Sequence, residues 1–175
     1  MAPLAEPPFL TRFQRILVGT DGTVTPMLEA YADEPIEVVK LFQKYDATVG
    51  ADAPLELAPD ARVLRRRVVL RGRQSKRSLV YAEVAVAVDR VDPAILDGLL
   101  TTDTPVGTLL SQRRTETFRE ILRADREPAG ECAAQFGIEP AAEVVSRTYR
   151  IFASGRPIMV ITERFPATSF QDLSG

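Results

Sequence analysis

The sequence predicts an α+β fold in which a single antiparallel β-sheet carries helices packed on one face, and three observations lead there. Val63–Arg71 and Leu79–Val88 are strand-like runs joined by the polar turn Gly72-Arg73-Gln74-Ser75-Lys76-Arg77, the pattern of an antiparallel hairpin. Val145–Ala153 and Pro157–Phe165 repeat that pattern around Ser154-Gly155-Arg156. Hairpins outnumber strand-helix-strand crossovers, which favours an antiparallel sheet over a parallel one.

Taken in order, residues 1–10 read as a disordered tail rich in proline. Thr11–Val18 carries Phe13, Ile16 and Leu17 at helical spacing, and Thr25-Pro26 opens a second short helix, with threonine at the cap and proline in the first turn. Ile36–Tyr45, rich in β-branched and aromatic residues, reads as a strand, followed by a loop of Ala, Asp and Pro through Asp60. After the first hairpin, Asp92-Pro93 starts a helix that runs through Leu100. Beyond the turn Thr104-Pro105-Val106-Gly107, Phe118, Ile121 and Leu122 share one side of a helical pattern extending from about Gln112 to Arg123. The second hairpin closes a single domain, residues 11–166, and residues 167–175 read as a short polar tail.

Composition removes several classes of function. The chain has 175 residues, 45% of them apolar, enough for one domain with a real core. Its 22 basic and 24 acidic residues give a net charge of −2, so nucleic acid is not an expected partner. No apolar run approaches the ~20 residues of a membrane helix, and the N-terminus lacks the pattern of a secretory signal; the expectation is a cytoplasmic, monomeric protein with no membrane partner. Cys132 is the only cysteine and histidine is absent. Internal disulfides, catalysis through Ser-His-Asp or Cys-His pairs, and metal sites built on paired thiolates or on histidine are therefore excluded. Chemistry must run on carboxylates, arginines, hydroxyls and backbone amides.

Alternation singles out two charges. On Leu64–Leu70, Leu64, Arg66, Val68 and Leu70 share a face, so Arg66 interrupts an apolar row. A core arginine costs several kcal/mol of desolvation unless an anion meets it; the anion is either a ligand or a buried carboxylate, and a bulge that flips the strand is the third possibility. On Pro157–Phe165, Met159, Ile161 and Glu163 share a face, which puts a carboxylate on an apolar row. Arg66 and Glu163 either neutralise each other or meet a ligand. Glu83, in the row Leu79, Tyr81, Glu83, Ala85, is a further candidate as an edge charge or as a support behind the site. The turns Asp21-Gly22-Thr23-Val24-Thr25 and Thr104-Pro105-Val106-Gly107 can present free amides to an anion.

The segments Arg66-Arg67-Val68-Val69-Leu70, Thr104-Pro105-Val106-Gly107-Thr108-Leu109-Leu110 and Ser154-Gly155-Arg156-Pro157-Ile158-Met159-Val160-Ile161-Thr162-Glu163 resemble, in order and context, those of bacterial chorismate pyruvate-lyases, closest to the actinobacterial branch. The resemblance runs from Thr11 to Pro166. It implies a chorismate-lyase-like sheet enclosing a ligand cavity, and a reaction that converts chorismate to 4-hydroxybenzoate and pyruvate with no metal or organic cofactor. It places the arginine that holds the ring carboxylate at Arg66, the assisting backbone amides at Val24 and Val106, and the glutamate facing the hydroxyl end at Glu163. The position of Glu83 is basic in the proteobacterial branch, a departure that bears on product release. Two other readings remain at this point: an effector-sensing domain of similar fold, and a chorismate-using enzyme yielding 3-hydroxybenzoate.

Overall fold

The computed structural model describes residues 7–50 and 52–172. Eleven principal elements follow one another: α1 (Arg12–Gly19), α2 (Val24–Ala32), β1 (Ile36–Ala47), β2 (Arg62–Gly72), β3 (Ser78–Ala87), α3 (Pro93–Thr101), α4 (Val106–Gln112), β4 (Phe118–Pro128), α5 (Ala133–Phe136), β5 (Glu143–Ala153) and β6 (Arg156–Pro166). The six strands form one antiparallel sheet in the order β1-β2-β3-β6-β5-β4, the α+β architecture expected. The turn between β5 and β6 explains its residues: Ser154 (φ 51°) and Gly155 (φ 73°) are both left-handed, as the tightest hairpins require.

One sheet face is apolar and is covered by α1 to α4, whose Leu17, Leu28, Leu99 and Leu110 pack on Leu64, Val84, Val86, Ile151 and Ile161. The short α5 lies on the other face, where Ala133 and Cys132 meet Val69, Tyr81 and Val144. The helices are thus on one face except for this single-turn element.

The helix expected between Gln112 and Arg123 is not formed. The helical turn there is α4, which ends at Gln112, and Phe118–Pro128 is the edge strand β4 paired with β5. The misreading has a local cause. The register with β5 slips between Ile121 and Arg123, leaving Leu122 as a bulge residue, so that Phe118, Ile121 and Leu122 imitate helical spacing on an interrupted strand. Arg119, Glu120, Arg123, Asp125, Arg126 and Glu127 make this a charged edge, which opposes pairing with a second chain.

The residues after β6 are docked, not a free polar tail, as far as they are described. Phe170 is fully buried, with its ring 5.2 Å from Phe13, 4.9 Å from Tyr31 and 5.4 Å from Phe165. The capping residues of α1 hold it there. Thr11 and Gln14 form a reciprocal capping box. Gln14 Nε2 also donates to the carbonyls of Ala167 (2.9 Å) and Ser169 (2.7 Å), and Thr11 Oγ1 donates to that of Phe170 (2.6 Å). Most of the expected N-terminal tail lies outside the described residues.

Candidate functional site

Between the apolar sheet face and the starts of α2 and α4 lies a small cavity with about 50 Å³ open to water. Its walls are mostly Val38, Val68, Leu70, Ala82, Val84 and Ile161, into which a few polar groups project. Arg66, Glu163, Val24 and Val106 all line it. Register explains the first two. Across the sheet Arg66 aligns with Val84, Ile161 and Tyr149, while the next row on the same face is Val68, Ala82, Glu163 and Arg147. Arg66 and Glu163 therefore face one space from β2 and β6, with β3 between them.

Arg66 is only 4% exposed and makes no ion pair; its Nε and Nη2 have no hydrogen-bond partner among the described residues. Burial pulls its pKa down, and the charge of Asp103 opposes this only in part. Asp103 is itself largely solvated, with its side chain 72% exposed, and cannot satisfy the guanidinium. A buried unpaired cation costs several kcal/mol against a total stability of about 5–15 kcal/mol. An anion in the cavity removes that cost.

Glu163 is not the partner of Arg66. Its Oε2 accepts from Arg147 Nε (2.8 Å) and its Oε1 from the Tyr149 hydroxyl (3.0 Å). Arg147 Nη1 in turn donates to the Thr20 carbonyl at the end of α1 (2.8 Å), and the guanidinium lies 4.7 Å from the Tyr149 ring centre. Burial acts to lower the Arg147 pKa, but Glu163 and Tyr149 outweigh it and hold the guanidinium charged. Burial, then the adjacent Glu163 charge, drive the Tyr149 hydroxyl far above its ordinary range, so it stays a hydrogen-bond donor. The mutual neutralisation of Arg66 and Glu163 is thereby excluded.

Val24 and Val106 are the first residues of α2 and α4, where backbone N–H groups have no partner within the helix. Neither Thr23 nor Pro105 caps its helix with a side chain, so these amides remain available. The two helix starts touch: a side chain at Gly107 would overlap the Thr23 methyl and hydroxyl, and glycine is what lets them converge. The turn Thr104–Gly107 leads directly into α4, whose first residue is Val106.

Of the two readings of Glu83, the structure agrees with a surface charge rather than a support behind the site. Alternation places it on the opposite sheet face, away from the cavity lining, where Oε2 accepts from Arg164 Nη1 (2.8 Å) and Arg67 Nε lies 3.6 Å from Oε1. It belongs to a half-exposed charge network. Three residues escaped the sequence reading: Arg147, Tyr149 and Arg119. Arg147 interrupts the apolar row Val145, Tyr149, Ile151 just as Arg66 interrupts its own, and that signal could have found it. Arg119 was concealed by the helical reading of β4. Among the described residues, no group of three or more His, Cys, Asp or Glu side chains could hold a metal ion, and no helix is long and apolar enough to cross a membrane.

Comparison with known proteins gives concordant results. Residues 18–172 match the family model described as chorismate pyruvate-lyase Rv2949c-like. A chorismate pyruvate-lyase of Mycobacterium tuberculosis is 33% identical over 167 residues, covering 93% of this chain and 84% of that protein. One from Mycobacterium leprae is 34% identical over 165 residues, covering 93% and 78%. Among solved structures, the effector domain of PhnF from Mycobacterium smegmatis superposes with a TM-score of 0.65 at 15% identity, covering 86% of this chain and 91% of that one. At that identity the likeness is one of fold alone.

Proposed function

The chain belongs to the chorismate pyruvate-lyase family, and from that premise we propose that it cleaves chorismate to 4-hydroxybenzoate and pyruvate in the cavity described above. The observation that carries the reading is Arg66: a buried guanidinium with two unpartnered nitrogens, facing an apolar cavity, calls for a planar anion such as a ring carboxylate.

In this reading Arg66 grips the ring carboxylate together with the amides of Val24 and Val106, and Glu163 meets the ring hydroxyl at the other end. Arg147 and Tyr149 fix the Glu163 carboxylate, leaving lone pairs free to accept from that hydroxyl. The chemistry needs little acid-base power. The ether bond between ring and enolpyruvyl group breaks, and the hydrogen leaves the ring carbon that bears the hydroxyl. The ring becomes aromatic, and that hydrogen is balanced by the one gained at the pyruvate methyl. The protein contributes orientation and a site shielded from water, which suits a chain without histidine. The proposal extends to a cavity closed over its ligand, and to a monomer working in the cytoplasm on a dissolved substrate.

The test is incubation of purified protein with chorismate and no added cofactor, with chromatographic separation of both hydroxybenzoate isomers and a pyruvate assay. Equimolar 4-hydroxybenzoate and pyruvate, lost in Arg66→Ala, is the expected result. Formation of the 3-isomer overturns the regiochemistry. Chorismate held but unchanged overturns the enzymatic reading and leaves a sensing role.

A further inference from the structure

We propose that Arg119, on the edge strand β4, is the second anion anchor of the site and binds the enolpyruvyl carboxylate of the substrate, the group that departs with pyruvate. This inference rests on the chorismate reading above and adds to it a division of the substrate between two arginines.

The charges facing the cavity point this way. The charged side chains in its lining are Arg66, Arg119 and Glu163, and the Glu163 charge is already matched by Arg147, which does not line the cavity. Two positive charges, Arg66 and Arg119, are therefore left without a carboxylate among the described residues. Chorismate carries two carboxylates, and the product ring only one.

Arg119 is also poorly satisfied where it stands. Its Nη1 and Nη2 make only long contacts to neutral oxygens, 3.3 Å to the Asp21 carbonyl and 3.3 Å to Thr23 Oγ1, and its buried Nε has no partner. Its neighbours on the strand differ: Glu120 is paired with Arg150, and Arg123 with Asp125. The two contacts that Arg119 does make tether it to Asp21 and Thr23, the residues leading into α2, at the β4 side of the cavity.

Placement across the sheet agrees. β2 and β4 are separated by β3, β6 and β5, so Arg66 and Arg119 start from strands about 19 Å apart at ~4.8 Å per step. Two long side chains reaching toward one cavity reduce that gap to the scale of a small dicarboxylate. The two arginines then hold the two carboxylates of the substrate, one on the ring and one on the side chain, and the ether bond that breaks lies between them.

The test compares substrate with product. In Arg119→Gln, the KM for chorismate is expected to rise about tenfold or more, as for loss of a charged hydrogen bond. Affinity for 4-hydroxybenzoate, measured calorimetrically, is expected to stay within about twofold of wild type, because the product lacks the second carboxylate. Arg119→Lys should recover part of the loss, and it keeps the comparison available if Arg119→Gln fails to fold. An unchanged KM overturns the proposal. So does a parallel loss of product affinity, which would mean that Arg119 merely supports α2. If wild-type protein leaves chorismate untouched, this inference falls together with the chorismate reading; if wild type turns it over and Arg119→Gln is unaltered, only the second anchor falls.

Discussion

The two faces of the sheet handle arginine in opposite ways. On the outer face Arg67, Arg71 and Arg164 stand half-exposed, each with a carboxylate: Glu83 beside Arg67, Glu37 on Arg71, and Glu83 and Glu127 on Arg164. On the inner face Arg147 is paired and sealed at 2% side-chain exposure, while Arg66, equally buried, has nothing. All these residues alternate along neighbouring strands, and a protein that can neutralise so many arginines with its own carboxylates leaves Arg66 bare where a ligand can reach it. The difference teaches that total charge says little about function, whereas the location of an unmatched charge says much.

The comparison breaks most severely at Glu163. Glu163→Gln strands Arg147 in the core, and losing one partner of a buried pair costs about 3–5 kcal/mol. For a chain of this size that corresponds to a fall in melting temperature of roughly 10 °C, together with loss of turnover. A variant with unchanged melting temperature would show that the pair contributes nothing to the fold. Arg66→Met should do the reverse. Exchanging an uncompensated buried cation for an apolar side chain is expected to raise the melting temperature by a few degrees while abolishing product formation. Thermal denaturation beside the chorismate assay checks both halves, and a destabilised Arg66→Met protein would mean that Arg66 is matched in the unliganded fold.

The outer face should respond weakly. Glu83→Gln removes a half-exposed partner of Arg164, for which about 0–1 kcal/mol is expected, with steady-state turnover within twofold of wild type. A large loss of turnover would restore Glu83 to the site. The smallest effect is one of pH. Lys76 and Arg71 hold the Glu37 carboxyl below its ordinary value. A depressed folded-state pKa contributes stability above the unfolded value near 4.5, and that contribution disappears as pH falls through the lower folded value. Wild type should therefore melt slightly above Glu37→Gln at neutral pH, and the two should converge in acid; a gap that persists at low pH would assign the effect to packing.

Much of this was legible in the sequence because hydrophobic alternation is a direct imprint of the sheet. Five of the six strands could be read this way, as could the starts of α1 and α3, where Thr11 and Asp92-Pro93 carry cap chemistry. Arg66 and Glu163 stood out as charges on apolar rows, and the structure brings both to one cavity. β4 was misread because its bulge breaks the period-two pattern that identifies a strand, and Arg119 disappeared with it. Alternation assigns a side chain to a face but does not name its partner, so the Arg147 and Tyr149 contacts of Glu163 needed the strand register. The docking of Phe170 was equally out of reach, since a phenylalanine in a polar stretch carries no local sign of rings more than 130 residues away in the chain.

The strand order has a consequence for how the molecule comes into being. β6 comes after the other five strands of the sheet in the chain, yet it sits in the sheet's interior, joining β1-β2-β3 to β5-β4. Until it inserts, the nascent chain holds two separate strand groups with open edges, and one group carries Arg66 while the other carries Arg119 and Arg147. Such late, non-local pairing folds slowly and exposes aggregation-prone edges in the interval. Because β6 also brings Glu163, its insertion both closes the sheet and supplies the carboxylate that Arg147 lacks until then; synthesis rate and temperature should therefore govern the yield of soluble protein more strongly than its final stability does.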